Sequence, residues 1–164
     1  MAPFEAAQYV TPKTTAQYYA DTQVNEQHKT LLCYKLRVAV LASLNGQWYW
    51  AEYSGFGVGS EASGYALFVS GYSGNAGDAM TVDGDFANSL NSKRFRTYDR
   101  PFDRNGYCVL RLNWLGGFWY SSNTNCGYAL LNQATYFYWI SLPLGTRSSQ
   151  YVALARSRMT LLPK

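Results

Sequence analysis

The sequence predicts an α+β domain in which a central antiparallel sheet carries a loop-rich subdomain. Of its 164 residues, 17% are aromatic and only 15% are charged. Such a composition excludes a disordered chain and favours β-strands. Alternating strand-like patterns occupy residues 31–70, fade between 80 and 125, and return after 135. The length fits one domain with its own core.

The first 30 residues are polar and show little hydrophobic periodicity. Short helical stretches are compatible with residues 14–20, but nothing there resembles a site. No leader peptide or targeting signal is visible in the first ten residues. We therefore predict a lead-in segment over residues 1–30 and a domain over residues 31–164.

The central sheet is predicted to begin with a hairpin. Apolar residues alternate over positions 36–40 and again over positions 48–51, and Asn45-Gly46 lies between the two runs. Asn-Gly between alternating runs is the strongest short-range hairpin signal. A third strand is predicted over Tyr65–Ser70, which follows the glycines at 55, 57 and 59.

Two further ordered segments follow the loop-rich region. Thr135–Leu142 and Tyr151–Leu162 regain strand-like patterns, and the second is predicted to add a strand back to the central sheet. The irregular region between Met80 and Asn125 is unusually long for a compact domain. Such regions carry function more often than ordinary connections do.

Three cysteines contain no C-x-x-C pair. Cys108 and Cys126 enclose 17 residues rich in Gly, Asn and Ser, and a disulfide across such a loop stabilises by about 3 kcal/mol. We predict that disulfide. Cys33 is then either a buried thiol beside a strand or an intermolecular link.

Several classes of function are disfavoured. The basic residues are scattered and mixed with acids, which argues against nucleic-acid binding, and the longest aliphatic run, Val38–Ala42, is too short to span a membrane. The single histidine, His28, lies in the lead-in segment, so no nucleophile–base pair is evident. Asp99 and Asp103 have arginine neighbours that would keep them ionised. The sequence therefore predicts a binding protein, with no enzymatic activity.

Ordered motifs from Leu36 to Pro163 resemble fibrinogen-like domains, as found in ficolins, tachylectins, tenascins and fibrinogen. They include WAEYSGFGVG at 50–59, VSGYSGNAGD at 69–78 and GFWY at 117–120. The resemblance implies the fibrinogen C-terminal fold. The N-terminal subdomain of the family has no counterpart in residues 1–30, so the chain is interpreted as a divergent member that is truncated on its N-terminal side.

The family binds calcium through an Asp-x-Asp-x-Asp loop. Asp99 and Asp103 match the outer two acids, while Pro101 replaces the middle ligand. The resemblance therefore implies a calcium site at Asp99 and Asp103 that lacks one ligand of the family, whereas calcium normally takes six to eight oxygens. The alternative is a turn in which both carboxylates pair with arginines. Asp83, Asp85 and Asn88 form a second acidic group, which we interpret as a solvated turn.

The resemblance also implies a ligand pocket beside the calcium loop, where aromatic faces meet a few polar groups. The family's Cys-His motif becomes Cys126-Gly127, so the histidine is lost, and Tyr128 is the candidate to refill its space. For Trp119, Tyr138 and Trp139, a place in the core is an equal alternative. The candidate ligand-binding residues are Trp119, Tyr120, Cys126, Gly127, Tyr128, Tyr136, Tyr138 and Trp139.

Taken together, these patterns and the resemblance predict a secreted recognition module. Its expected ligands are acetylated sugars or similar small groups on cell or microbial surfaces, as in lectins of innate immunity. The alternative is a structural or protein–protein interaction module that has lost calcium and sugar binding. The expected partners are thus a carbohydrate or acetylated ligand or an extracellular protein, and a homo-oligomer is possible; nucleic acid and a membrane span are not expected.

Overall fold

The computed structural model describes residues 4–6, 34–82, 85, 87–102, 108–109, 116–121, 126–132, 137–140, 142–144 and 151–164. These residues form a seven-stranded sheet. The strands are β1 (Phe4–Ala6), β2 (Tyr34–Ala42), β3 (Trp48–Val58), β4 (Leu67–Gly74), β5 (Ala129–Leu130), β6 (Tyr138–Ile140) and β7 (Tyr151–Pro163). Among the described residues, no helical segment has the length and hydrophobicity that crossing a membrane requires.

The sheet is antiparallel throughout, in the order β4-β3-β2-β7-β6-β5, and β1 also pairs with β7. The predicted hairpin is confirmed, since β2 and β3 pair from Leu36–Tyr53 to Leu41–Trp48 around the Asn45-Gly46 turn. The predicted return of the chain is also confirmed, because β7 pairs with β2 over almost its whole length.

The third strand starts two residues later than predicted, at Leu67. A short 3-10 helix, Glu61–Ser63, precedes it, and the backbone N–H of Tyr65 donates to Ser60 O at 3.0 Å. Tyr65 itself has a positive φ of 55°. The backbone at Tyr65 is therefore part of the turn, and the strand begins once the turn has ended.

The core lies on one face of this sheet. Leu36, Val38 and Val40 alternate along β2 and are at most 1% exposed. Val38 pairs with Ala51 of β3 on one side and with Met159 of β7 on the other. Further core residues come from β3, β4 and β7 and from the segments between β4 and β7, among them Met80, Leu90, Phe118 and Leu131.

The segment after β4 is tied to the sheet by specific hydrogen bonds. Asn75 Oδ1 accepts a hydrogen bond from the backbone N–H of Trp50 at 2.8 Å, and Asp78 Oδ1 accepts one from the Tyr53 hydroxyl at 3.0 Å. Burial, followed by the Asp78 charge, raises the pKa of Tyr53 well above its ordinary value. These hydrogen bonds hold the segment after β4 against β3.

Candidate functional site

Cys108 and Cys126 are joined by the predicted disulfide. The bond holds the start of the 126–132 segment against the core, where both cysteines are buried. Cys126 and Gly127 both have positive φ values, 63° and 121°, a conformation that a glycine adopts readily and that strains other residues. The chain therefore turns sharply at the predicted rim of the pocket.

Gly127 also packs closely against the side chain of Leu90. A Cβ atom there would lie 2.6 Å from Leu90 Cδ2. The family's histidine therefore has no room at this position unless Leu90 moves.

Tyr128 lies next to this turn and is held by a polar network. Its hydroxyl donates to Asp85 Oδ2 at 3.0 Å and accepts from Asn88 Nδ2 at 2.9 Å, while Asn88 Nδ2 also donates to Asp85 Oδ2 at 2.7 Å. Hydrogen bonds from Asn88, and then from Tyr128, hold the pKa of Asp85 below its ordinary value. Burial and the Asp85 contact raise the pKa of Tyr128.

Two further tyrosines adjoin Tyr128. The rings of Tyr138 and Tyr151 meet edge to face with centroids 4.5 Å apart, and the Tyr128 and Tyr151 centroids are 6.3 Å apart. The Tyr138 hydroxyl donates to Gly127 O at 3.0 Å. Burial, and then the nearby Tyr151, raise the pKa of Tyr138, so this hydroxyl stays protonated as a donor. We call Tyr128, Tyr138 and Tyr151 the tyrosine surface.

The tyrosine surface is partly exposed to solvent. Tyr151 is 44% exposed, and Tyr128 and Tyr138 are half-buried. Tyrosine combines a large apolar ring with a polar hydroxyl and has few rotamers to lose. With two hydroxyls fixed by hydrogen bonds, the arrangement can hold a small ligand against ring edges and faces beside the Asp85 carboxylate.

Two of the predicted pocket aromatics lie instead in the core. Tyr120 and Trp139 are fully buried. The Tyr120 hydroxyl donates to Gly116 O, and the Trp139 indole donates to Ala76 O at 3.0 Å and to Gly77 O at 3.1 Å. Backbone carbonyls accept hydrogen bonds from the polar groups of both residues. Tyr120 and Trp139 therefore belong to the core beneath the site.

Trp119 has an intermediate position. It is half-buried, its indole N–H donates to Tyr65 O at 2.8 Å, and its ring meets Phe95 at a centroid distance of 5.0 Å. The indole thus joins the 116–121 segment to the turn before β4. The last predicted pocket residue, Tyr136, lies outside the described residues.

In the predicted calcium loop, the structure describes Asp99 but not Asp103. Asp99 Oδ1 accepts a hydrogen bond from Thr97 Oγ1 at 2.6 Å, and Arg100 forms an ion pair with Glu61 at 3.2 Å. Among the described residues, no three acidic, histidine or cysteine side chains gather as metal ligands. Asp103 and the residues up to 107 lie outside the described part of the loop, so the calcium site stays a prediction.

Sequence reasoning missed two parts of the site. Asp85 and Asn88 form a turn, with Asn88 N–H donating to Asp85 Oδ1 at 3.2 Å, but the same carboxylate also fixes Tyr128. For Tyr151, the sequence pattern predicts only the start of a strand. The Asp-x-Asp-x-x-Asn spacing is a signal for the role of Asp85, whereas the sequence carries no signal for the role of Tyr151.

Comparison with known proteins agrees with this architecture. The model of the "Fibrinogen beta and gamma chains, C-terminal globular domain" family matches residues 16–143, a range that begins within the predicted lead-in segment. A fibrinogen-like protein A from Apostichopus parvimensis is 34% identical over 116 residues, which cover 67% of this chain and 38% of that protein. The human fibrinogen alpha chain is 44% identical over 92 residues, covering 53% of this chain and 10% of its own length.

Solved structures give the same result. The fibrinogen-like globe domain of human ANGPTL6 superposes with a TM-score of 0.58 at 26% identity, covering 80% of this chain and 57% of that one. A lamprey fibrin D-dimer, complexed with a Gly-His-Arg-Pro-amide peptide ligand, superposes with a TM-score of 0.60 at 25% identity, covering 80% and 45%. The chain thus spans well under two thirds of these relatives. It belongs to the fibrinogen C-terminal globular domain family, a family of recognition and binding modules.

Proposed function

We propose that this chain is an extracellular recognition module that binds an acetylated sugar, or a similar small group, at the tyrosine surface. The observation that carries the proposal is the contact of Tyr138 with Tyr151 beside Gly127, with centroids 4.5 Å apart. An acetyl methyl or the apolar face of a sugar ring packs well on aromatic rings. The extracellular location is part of the proposal and follows from the family.

The polar neighbours of the tyrosine surface suit a sugar. The Asp85 carboxylate lies at the Tyr128 hydroxyl, where its oxygens offer acceptors for the O–H of a sugar or the N–H of an acetamido group. Fixed tyrosine rings lose little conformational entropy on binding. A site of this kind has modest affinity for a single sugar, and clustering of several copies would raise the avidity.

Calcium is not a required part of the proposed site. A calcium ion at the loop would be held by Asp99 and Asp103, but Pro101 replaces one ligand of the family and Thr97 already donates to Asp99. We propose that sugar binding at the tyrosine surface proceeds without the ion. A chelator that abolishes binding would overturn this part of the proposal.

A glycan array tests the proposal directly. The whole chain is applied to pairs of the same sugar with and without its acetyl group, with calcium and with chelator. We expect signal on the acetylated members in both conditions and loss of that signal with Tyr151→Ala. The matched control is Tyr98→Ala, because Tyr98 is 45% exposed and is not part of the tyrosine surface. A flat array, or equal loss in both variants, contradicts the proposal.

The second candidate is a protein–protein interaction module that has kept the fold and lost sugar binding. It is favoured by the replacement of family ligand groups by Pro101 and Gly127, the latter packed against Leu90. The lamprey fibrin relative in complex with a peptide gives a precedent for such a ligand. A flat array from a folded chain would favour this candidate over the first.

A further inference from the structure

The face of the central sheet opposite the core has a distinct composition. Along β2, the buried residues Leu36, Val38 and Val40 define the core face, so Arg37 and Ala39 between them belong to the opposite face. Directly paired residues on neighbouring strands share a face. The strand register therefore identifies the side chains of β3 and β7 that lie on the same face as Arg37 and Ala39.

The β3 neighbours on this face are aromatic and acidic. Trp48 pairs with Leu41, Trp50 with Ala39, and Glu52 with Arg37. Trp48 is 48% exposed, and the nearby hairpin residue Leu44 is 72% exposed. Two indoles thus flank β2 on one side.

The β7 neighbours on this face are basic. Arg158 pairs with Ala39 and Arg156 pairs with Leu41. Arg37, Arg156 and Arg158 are all exposed, and Lys35, two residues before Arg37, is half-buried. Taken in spatial order, Lys35, Arg37, Arg158 and Arg156 run obliquely across β2 and β7, and we call them the basic line.

Spacing within the basic line is regular because the sheet sets it. Alternate residues on one strand are roughly 7 Å apart, and diagonal neighbours on adjacent strands are about 7–8 Å apart. The line therefore offers four cationic groups at nearly even intervals. Such a row matches a linear polyanion better than it matches the irregular surface of a folded protein.

Local contacts hold the two β2 members in place. The Arg37 guanidinium lies 4.8 Å from the centroid of the Trp50 ring, and Lys35 forms an ion pair with Glu52 at 3.4 Å. Among the described side chains of this face, Glu52 is the acidic group that meets the basic line. Four basic residues against this one acid leave an excess of positive charge.

We propose that this face binds a sulfated polysaccharide, with sulfate groups on the basic line and sugar rings against Trp48 and Trp50. Arginine holds two oxygens of such an anion in a planar fork, and an indole packs on the apolar face of a sugar ring. The site is separate in residues and in ligand chemistry from the tyrosine surface, where the ligand is uncharged. The two proposals can therefore fail independently.

The probe is immobilised heparin, titrated with the whole chain at several salt concentrations. We expect binding that weakens as salt rises, because salt screens exposed charges. Arg156→Gln should weaken it about fivefold, and Arg156→Gln with Arg158→Gln about 25-fold, the range for basic side chains near a polyanionic surface. Acetylated-sugar binding on the array should stay unchanged in both variants.

The control is the double variant Arg94→Gln, Arg100→Gln, which removes two exposed arginines from a different part of the surface. It should retain wild-type heparin affinity. Absence of heparin binding, or equal weakening in control and test variants, overturns the proposal. Equal binding to unsulfated hyaluronan also overturns it, and competition by poly-glutamate as effective as that by heparin would assign the face to an acidic protein instead.

Discussion

The Tyr128 hydroxyl donates a hydrogen bond to Asp85 Oδ2 at 3.0 Å across 43 positions of sequence. This bond joins the segment that begins at Cys126 to the turn that contains Asp85 and Asn88. It fixes one ring of the tyrosine surface and stabilises the ionised carboxylate. The same hydrogen bond thus contributes to the stability of the fold and fixes the position of Tyr128 in the proposed sugar site.

Removing the Tyr128 hydroxyl should cost stability. Tyr128→Phe keeps the ring and loses the hydrogen bonds to Asp85 and Asn88, so we expect a decrease of about 1 kcal/mol in the free energy of unfolding. Urea denaturation followed by tryptophan fluorescence measures it. Tyr151→Phe is the control, because its hydroxyl has no hydrogen-bond partner among the described residues; equal losses in the two variants would contradict the assignment.

Asp85 should make stability depend on pH in acid. Its pKa in the folded state lies below the ordinary value of 3.8, chiefly because Asn88 donates to the carboxylate. A lowered folded pKa contributes stability that is complete above the ordinary pKa and is lost as pH falls through the folded pKa. We expect the Tm difference between the wild type and Asp85→Asn to shrink between about pH 6 and about pH 2. A constant difference across this range would show that the ionised form is not preferred.

Substitution of Trp139 should lower the free energy of unfolding more than most other substitutions in the core. Trp139→Phe leaves a cavity and removes the indole donor from the buried Ala76 O and the partly buried Gly77 O. We expect a loss of about 2–4 kcal/mol in unfolding free energy. Trp48→Phe, at an exposed indole, should stay within about 0.5 kcal/mol. If calorimetry gave similar Tm values for the two variants, the supporting role of Trp139 would be wrong.

Replacing Gly74 by alanine should lower the stability of the fold more than replacing Gly46. Both have positive φ, but a Cβ at Gly74 would lie 2.3 Å from Trp50 O, whereas a Cβ at Gly46 would meet nothing within 4 Å. We expect Gly74→Ala to lower stability by at least about 2 kcal/mol, and Gly46→Ala by about 1 kcal/mol from backbone strain alone. Chemical denaturation of the two variants side by side tests the order, and a reversed order would contradict the close approach of β4 to Trp50.

Local patterns were enough to predict most of the sheet. Asn45-Gly46 fixed the hairpin and alternation fixed β7, because turn chemistry and strand period act over a few residues. The residues of the site are harder to predict from the sequence, because Tyr120 and Tyr128 have the same side chain and differ only in what packs around them. Burial of Tyr120 and the contact between Asp85 and Tyr128 depend on distant segments, and a sequence with 15 tyrosines does not indicate which remain accessible.

The position of β7 also has a consequence for the order of folding. This strand lies between β2 and β6, and it is synthesised after both of them. Until it emerges, the β2–β4 meander and the β5–β6 hairpin each expose an unpaired edge, which is a template for pairing with other chains. Its contacts with β2 span over a hundred residues of sequence, and closing such long loops slows folding. A chain without β7 therefore has no strand to join β2 to β6, and β7 connects the two parts of the sheet by pairing with both.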